Sequence, residues 1–251
     1  MMEKRTVIIT GGTKGIGAAI ARAFHEDGAY VLVGARGDNG LAAELGERAR
    51  FAAIDVRRPA EHAALVKAAL AWTGRLDAFI NCAGFSAWRP VAKVDEDFWN
   101  QMIDTNLKGT FFGCQAAATE LKKGGSIINI SSLAGKRGSM NNSVYCASKF
   151  GVNGLTQALA KELGPRGIRV NAVCPVYVKT AGLLGVLSDP DAPPKGKNVE
   201  DYLRDFAAHD SALGVLPTAE DIVRICLFLA SPGAAAVTGQ CINVDSGVLP
   251  Q

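Results

Sequence analysis

The sequence lacks the features typical of membrane proteins and nucleic-acid-binding proteins. No run of about 18 apolar residues occurs, so we expect no membrane-spanning helix. The formal net charge is +3, which is too small to indicate a nucleic acid or an anionic membrane as a partner. The opening MMEKRTVIIT reaches a strand-like run almost at once, which leaves no room for a signal peptide.

Clustered metal ligands are equally scarce. The three histidines lie far apart, and the six cysteines are scattered without a C-x-x-C pair: Cys82, Cys114, Cys146, Cys174, Cys226 and Cys241. This spacing argues against a zinc site, and no histidine neighbours a motif that would complete a Ser-His-Asp triad. We interpret the cysteines as small, buried, reduced side chains, and we expect no metal and a cytoplasmic location.

The chain alternates apolar strand-like runs with helix-like segments. We predict strands at 6–10, 30–35, 50–55, 76–81, 126–131, 168–173 and 240–245, and helices at 15–27, 59–73, 95–121, 143–164 and 199–209. The strands are apolar throughout rather than alternating, which is typical of a parallel sheet covered by helices on both faces. The 251 residues therefore predict one α/β domain with a doubly wound sheet.

One segment, 176–216, interrupts this alternation and contains the proline-rich run SDPDAPPKGKN. Long interruptions within a compact domain are usually lids or binding loops. We therefore predict a lid over the substrate, with the 199–209 helix inside it.

Three glycines follow the first strand in TGGTKGIG: Gly11, Gly15 and Gly17. Glycine permits a tight turn and a close approach of the backbone to a ligand. The helix that follows presents unpaired N–H groups and a positive dipole end, which suit a pyrophosphate. A glycine pattern alone is weak evidence, but its place between a strand and a helix predicts a dinucleotide site.

The end of the second strand favours NADP(H) over NAD(H). An NAD site usually has an acidic residue there, which holds the ribose hydroxyls. This chain has Ala35 followed by Arg36, and Lys14 lies in the glycine turn. Two cations without a carboxylate suit a 2′-phosphate. The alternatives are that both are ordinary solvated charges, or that Asp38 reaches back to the ribose.

A tyrosine and a lysine share one face of the predicted 143–164 helix, because Tyr145 and Lys149 are four residues apart. A neighbouring ammonium is expected to lower the pKa of the phenol from about 10, which would make Tyr145 a general acid and base near neutral pH. The alternative is an interfacial tyrosine beside a lysine that extends to water.

The surrounding motifs favour catalysis over that alternative. Ser132 lies just past the fifth strand, NCAG (81–84) ends the fourth, and CPVYVKT (174–180) ends the sixth. In open α/β sheets, ligands bind outside the carboxyl ends of the strands. We therefore predict that these residues line one pocket with Tyr145.

Together these motifs resemble the short-chain dehydrogenase/reductase family over nearly the whole chain. The residues that carry the resemblance are TGGTKGIG, DV (55–56), NCAG, Asn106 in NLKG, Ser132, YCASK and the late TGQCINVDSG. The resemblance implies a Rossmann fold with a seven-stranded, mostly parallel sheet in the order 3-2-1-4-5-6-7. It also implies homodimers or homotetramers formed through the helices that carry Asn106 and Tyr145.

The resemblance further implies roles for individual residues. Tyr145 would exchange a proton with the substrate oxygen, and Ser132 would hydrogen-bond the same oxygen. Lys149 would bind the nicotinamide ribose, and Asn106 would hold a water in a proton relay that leads to Lys149. The residues expected to contact the cofactor are Gly11, Thr13, Lys14, Gly15, Ile16, Gly17, Ala35 and Arg36; Asp55 and Val56 at the adenine; Asn81, Ala83 and Gly84 at the adenosine ribose; and Tyr145, Lys149, Pro175, Val178 and Thr180 at the nicotinamide end.

Two positions depart from the family pattern. Cys82 replaces the second asparagine of Asn-Asn-Ala-Gly, so it lacks the amide expected to brace the sheet. Val176 replaces the glycine of Pro-Gly, and a valine disfavours a positive φ beside the nicotinamide. Both departures leave the catalytic residues in place.

The predicted reaction is hydride exchange between NADP(H) and a small-molecule ketone or secondary alcohol. The open substrate classes are 3-oxoacyl thioesters, sugars, polyols and small diketones. Ser86, Trp88, Asn141 and Tyr177 are expected to line the pocket together with the lid. A dinucleotide-binding sensor without catalysis is the competing hypothesis, and the intact Ser-Tyr-Lys set disfavours it.

Overall fold

A seven-stranded parallel sheet forms the centre of the fold in the computed structural model, which describes residues 5–250. The strands are β1 (Thr6–Thr10), β2 (Tyr30–Ala35), β3 (Ala49–Ala53), β4 (Ala78–Asn81), β5 (Ser126–Ile130), β6 (Arg169–Pro175) and β7 (Cys241–Val244). They lie in the order β3-β2-β1-β4-β5-β6-β7, and every neighbouring pair is parallel. The predicted fold class and strand order are confirmed.

The sheet is buried on both faces because its strands carry apolar residues at consecutive positions. Ile8 and Ile9 of β1 are both fully buried and belong to different apolar clusters. Successive side chains of a strand point to opposite faces, so the two clusters lie on the two sides of the sheet. Each fully buried side chain of this size contributes about 1.5–3 kcal/mol to folding.

Nine α-helices within the described range surround the sheet: α1 (Gly15–Glu26), α2 (Leu41–Leu45), α3 (Pro59–Thr73), α4 (Glu96–Ile103), α5 (Gly109–Glu120), α6 (Ser143–Leu163), α7 (Ala181–Leu187), α8 (Val199–Asp210) and α9 (Ala219–Ala230). The predictions missed α2, α7 and α9. Helix α9 has a recognisable start, since Thr218 and Asp221 form a capping box.

The predicted continuous helix at 95–121 is wrong in its middle. A π-helical turn, Asp104–Lys108, separates α4 from α5 and places Asn106 at its centre. Here the Thr110 hydroxyl donates to the Asn106 carbonyl over 2.8 Å, so a side chain satisfies a carbonyl where the helical ladder widens. Wide turns of this kind carry no periodic signal in the sequence.

Two strands, β3 and β6, end two residues away from their predicted ends. Strand β3 ends at Ala53 rather than at residue 55, so Asp55 and Val56 lie in the turn before α3. Strand β6 continues to Pro175, which pairs with Val244 of β7. The sixth strand therefore carries Pro175 directly to the carboxyl edge of the sheet.

The 176–216 segment is more ordered than its proline content predicts. Besides α7 and α8, it forms an apolar cluster in which Trp88, Leu187 and Leu203 are all at least 93% buried. Asp191 attaches the segment to Lys93 and Asn141. Its carboxylate lies 3.2 Å from Lys93 Nζ, and its backbone carbonyl accepts a hydrogen bond from Asn141 over 3.0 Å.

A buried polar chain connects β4, β5 and α6 beneath the sheet edge. Asn81 Nδ2 donates to Asn129 Oδ1 over 2.9 Å, and Asn129 Nδ2 donates to Thr156 Oγ1 over 2.9 Å. Asn129 and Thr156 are fully buried. Sheet bracing is therefore supplied by Asn81, and the cysteine at position 82 does not prevent it.

Asn129→Ala tests this polar chain. The substitution leaves the Asn81 and Thr156 side chains short of a partner in a buried site, so we expect the free energy of unfolding to fall by about 2 kcal/mol. Urea denaturation followed by circular dichroism measures the change. Asn100→Ala, at an exposed position of α4, is the control and should change the stability by less than about 0.5 kcal/mol. Equal stability of the two variants would contradict the assignment.

Candidate active site

The glycine turn after β1 packs directly against the end of β4. Gly11 has a φ of +70°, and a Cβ at this position would lie 2.7 Å from the Ala83 Cα. A Cβ at Gly17 would lie 2.3 Å from the Gly11 carbonyl oxygen. Only glycine fits either position, because the turn must reverse tightly while α1 approaches it closely. The spacing read from the sequence therefore has a steric origin.

The start of α1 fits a pyrophosphate. Lys14 is the N-cap, and neither its side chain nor another side chain caps the first-turn N–H groups. These donors and the positive end of the 12-residue helix face the carboxyl edge of the sheet. Gly15 has a φ of +54°. A Cβ there would come within 4 Å only of Thr180, the N-cap of α7. The turn thus forms a cradle with room for a ligand.

Two exposed cations lie at the β2 side of this turn. Arg36 follows β2, and Lys14 lies in the glycine turn itself. Asp38, which could have reached a ribose, instead accepts a hydrogen bond from the Gly40 N–H over 2.9 Å. The Asn39 side chain donates to the Thr13 carbonyl and ties the loop to the turn. The arrangement offers positive charge, while the Asp38 carboxylate is engaged in its own turn.

The turn after β3 holds a fixed carboxylate. Arg57 donates from Nε and Nη2 to Asp55 over 2.6–3.0 Å, and this pairing holds the pKa of Asp55 at about 2. The positive charge of Arg36 also lowers this pKa, by a smaller amount. Asp55 is therefore ionised throughout the physiological range and is available as an acceptor.

Tyr145, Lys149 and Ser132 come together on the opposite side of the cleft. Helix α6 carries Tyr145 and Lys149, and Ser132 follows β5, where its hydroxyl is near enough to the phenol to lower the pKa of Tyr145. The Lys149 Nζ lies 5.8 Å from the centre of the tyrosine ring and donates to the Ile130 carbonyl over 2.9 Å. Lysine 149 is only 6% exposed, so the alternative of a lysine extending to water is excluded.

The predicted direction of the Tyr145 pKa shift is wrong. Burial of the hydroxyl raises the pKa to about 12, and the hydrogen bond with Ser132 opposes this only in part. Lys149 does not reverse the effect because its ammonium faces the ring and the Ile130 carbonyl. Burial also lowers the pKa of Lys149 to about 8. Tyr145 is therefore a neutral phenol near pH 7, and the ammonium is the group that titrates closest to neutrality.

Asn106 is fully buried at the centre of the π-helical turn and fixes the chain after β4. Its Oδ1 accepts from the Phe85 N–H over 3.0 Å, and its Nδ2 donates to the Phe85 carbonyl over 2.9 Å and to Ser148 over 3.2 Å. A Cβ at Gly84 would lie 3.0 Å from Asn106 Oδ1 and 3.7 Å from Lys149 Nζ. Asn106, Gly84 and Lys149 therefore meet at one point of the cleft.

The end of β6 contributes unequally to the cleft. Pro175 is buried at the strand end, and Thr180 caps α7 through its hydroxyl, which accepts from the Leu183 N–H over 3.2 Å. Val178 is only 4% exposed and packs in the main core, so little of its side chain is left for a ligand. Val176 is not among the residues with a positive φ, so the valine is accommodated without strain.

Asn81 ends β4, at the carboxyl edge of the sheet. Its side chain donates to Asn129 inside the sheet, so its backbone is the part left for a ligand. Trp88 lies in the apolar cluster of the 176–216 segment, and Tyr177 places its hydroxyl 3.4 Å from that of Tyr202. On α8, Arg204 pairs with Asp201 at 2.7 Å.

Sequence reasoning missed residues that act through backbone groups. The Thr10 hydroxyl lies 3.3 Å from the Cys82 nitrogen and 3.4 Å from the Ala83 nitrogen, and it joins the ends of β1 and β4. The Ile130 carbonyl anchors Lys149. No sequence motif indicates either contact, although a threonine at the end of a strand beside a glycine turn suggests the first.

The assembled groups suit proton donation to a ligand oxygen. A neutral phenol lies near a serine hydroxyl, and a buried ammonium lies beside the ring. No group of three or more metal-ligating side chains occurs among residues 5–250. Within the same range, no helix has both the length and the apolar character needed to cross a bilayer.

Comparison with known proteins points to the same chemistry. A family model described as enoyl-(acyl carrier protein) reductase matches residues 11–249. The chain is 34% identical to the 3-oxoacyl-(acyl-carrier-protein) reductase FabG of Chlamydia trachomatis serovar D over 257 residues, which cover 99% of this chain and 98% of the relative. It is also 34% identical to a 3-alpha-(or 20-beta)-hydroxysteroid dehydrogenase of Mycobacterium tuberculosis over 250 residues, 98% of this chain and 89% of the relative.

A solved structure shares the whole architecture. An actinorhodin polyketide ketoreductase variant, crystallised with NADPH, superposes with a TM-score of 0.90 at 34% identity, and the match covers 98% of this chain and 97% of that one. The likeness spans the sheet, the glycine turn and the helix that carries Tyr145 and Lys149, so the chain belongs to the short-chain dehydrogenase/reductase family.

Proposed function

We propose that this protein is an NADP(H)-dependent reductase that converts a ketone into a secondary alcohol. The observation that carries the proposal is the grouping of Ser132, Tyr145 and Lys149 at the same sheet edge as the glycine turn. A sensor without catalysis would not need a buried ammonium beside a phenol and a serine hydroxyl, and burying a charge costs free energy.

The described residues fit the dinucleotide from end to end. Gly11, Thr13, Gly15, Ile16 and Gly17 would hold the pyrophosphate at the start of α1. Lys14 and Arg36 would hold the 2′-phosphate, and Ala35 leaves room beside them. The adenine would be contacted by Asp55 and Val56, and the adenosine ribose by the backbone of Asn81, Ala83 and Gly84. The nicotinamide end would be lined by Lys149, Pro175, Val178 and Thr180.

The protein supplies position and a proton. When bound, NADPH supplies the hydride. Ser132 would hydrogen-bond the carbonyl oxygen of the substrate, and Tyr145 would give its phenolic proton to that oxygen as charge develops there. Lys149 would stabilise the phenolate that remains, and Asn106 would place a water for its reprotonation. A phenol with a raised pKa serves this direction because it is fully protonated at neutral pH.

We further propose a 3-oxoacyl thioester as the substrate. The relatives named above include a 3-oxoacyl reductase and a polyketide ketoreductase. In this chain, Phe85, Val91 and Met140 are 37%, 80% and 72% exposed on two segments that the Arg89–Asn141 backbone hydrogen bond joins beside the cleft. An apolar rim suits an acyl chain better than a sugar or a polyol. The 176–216 segment would act as the lid that encloses this chain.

The same proposal includes a homodimer or a homotetramer. Trp99, Phe111 and Phe150 are 46%, 41% and 48% exposed on α4, α5 and α6. Exposed aromatic residues on neighbouring helices are typical of a protein–protein interface. Helix α6 also carries Tyr145 and Lys149, and Asn106 lies between α4 and α5, so assembly would support the site. The six cysteines, all free thiols, support a reducing compartment such as the cytoplasm.

Tyr145→Phe tests the catalytic assignment. Removing the hydroxyl takes away the proton donor, so we expect kcat/KM for reduction of acetoacetyl-CoA with NADPH to fall at least 100-fold. The affinity for NADPH, measured by fluorescence titration, should change little. Tyr30→Phe, at the start of β2 and far from the carboxyl edge, is the control. Undiminished turnover in Tyr145→Phe would refute the mechanism, and turnover of sugars but not of acetoacetyl-CoA would refute the substrate class.

Arg36→Ala tests the choice of cofactor. A charge-assisted hydrogen bond to a phosphate is worth about 1.5–3 kcal/mol, so we expect KM for NADPH to rise at least 10-fold while KM for NADH stays nearly constant. Steady-state kinetics with both cofactors give the ratio. Arg224→Ala, at an exposed position of α9, is the matched control and should leave the ratio unchanged. An equal effect of Arg36→Ala on both cofactors would rule out a role at the 2′-phosphate.

The pH dependence of reduction tests the buried ammonium. The pKa of Lys149 is lowered to about 8, so its positive charge is present below this pH and is lost above it. Tyr145 remains protonated over the same range. We therefore expect kcat/KM for NADPH to be constant below pH 8 and to decline about 10-fold per pH unit above it. Lys149→Arg should remove this decline, because arginine keeps its charge. A decline that persists at the same pH in this variant would assign it to another group.

A further inference from the structure

The turn between β3 and α3, residues 54–58, is held by backbone and side-chain groups from the N-terminal turn of α3. The Asp55 N–H donates to Glu61 Oε2 over 2.5 Å, and the Asp55 carbonyl accepts from the Arg58 N–H over 2.9 Å. The Val56 carbonyl accepts from His62 Nε2 over 2.8 Å. These bonds restrain three successive peptide planes, because each plane has at least one of its polar atoms paired.

One donor in this turn stays unpaired. The Val56 N–H has no acceptor among residues 5–250. It belongs to the same peptide plane as the Asp55 carbonyl, so the Arg58 hydrogen bond sets its direction. The Asp55 carboxylate, ionised and held by Arg57, lies beside it as an acceptor. A fixed donor next to a fixed acceptor matches the edge of an adenine ring, where the N1 acceptor lies beside the N6 amino group.

His62 is unusual among the residues that hold the turn. It is fully buried on the face of α3 that also carries Leu65 and Val66. Since its Nε2 must donate to a carbonyl, the hydrogen is on Nε2, and Nδ1 is then a buried acceptor that has no partner in the described part of the chain. Burial lowers the pKa of the ring, which keeps it neutral. An apolar side chain would fill the same space without leaving a nitrogen unpaired. What the histidine adds is its hydrogen bond to the Val56 carbonyl.

We infer that His62, supported by Glu61, is a positioning residue for the adenine of the cofactor, an inference that rests on the proposed function. It acts through the Val56–Arg57 peptide and touches neither the cofactor nor the substrate. The His62 hydrogen bond restrains the Val56–Arg57 peptide plane, which follows the plane that carries the Val56 N–H. The Glu61 hydrogen bond restrains the Ile54–Asp55 plane, which precedes it. The turn is therefore ordered before the ligand binds, and less entropy is lost on binding.

The experiment compares His62→Leu with His62→Asn. Leucine keeps the apolar volume and loses the donor, whereas the asparagine amide keeps an N–H donor. We expect the Kd for 2′-phospho-ADP-ribose, which contains the adenine and lacks the nicotinamide, to rise about 10-fold in His62→Leu and to recover at least partly in His62→Asn. Isothermal titration calorimetry measures both. KM for NADPH should follow the Kd, while kcat at saturating NADPH should not.

Val66→Ala is the matched control, since Val66 lies one turn further along the same buried face of α3. It should lower the melting temperature without raising the Kd. An unchanged Kd in His62→Leu, an equal rise in Val66→Ala, or a fall in kcat with an unchanged KM would overturn the inference. Failure of the wild-type protein to bind 2′-phospho-ADP-ribose would overturn the proposed cofactor as well, which separates the two outcomes.

Discussion

Burial of one ammonium group determines how the rest of the site is arranged. Lys149 is 6% exposed and has the Ile130 carbonyl as its hydrogen-bond acceptor. A charge in such surroundings is unfavourable unless polar groups are fixed around it. The close packing of α6 on the loop after β5 meets this requirement: a Cβ at Gly135 would lie 2.7 Å from the Lys149 carbonyl. The same packing brings Ser132 to Tyr145, so one electrostatic constraint places three side chains.

Much of the fold follows from the sequence because its signals are local. Apolar runs predict the strands, glycine spacing predicts the turn after β1, and an interval of four residues predicts the shared face of Tyr145 and Lys149. The break at Asn106 escapes this reasoning because it depends on Phe85, 21 residues away in the chain. Helix α9 is absent from the sequence prediction although its capping box, Thr218 and Asp221, is visible in the sequence.

Sequence spacing predicts that Tyr145 and Lys149 lie together, but it does not predict the direction in which burial shifts the pKa of Tyr145. Sequence spacing places an ammonium near a phenol, but it does not say how much water each group loses. Desolvation dominates here, so the phenol becomes a weaker acid and the ammonium a stronger one. The roles of Thr10, Ile130 and His62 depend on which backbone atoms come within 3.5 Å, and that information exists only after the sheet has formed.

The small core that contains Trp88, Leu187 and Leu203 can change independently of the sheet. It is separate from the two clusters that hold the sheet together. A segment with its own interior can unfold locally or be remodelled while the sheet keeps its stability. Substitutions at these three positions can therefore reshape this part of the 176–216 segment without disturbing the packing of the sheet.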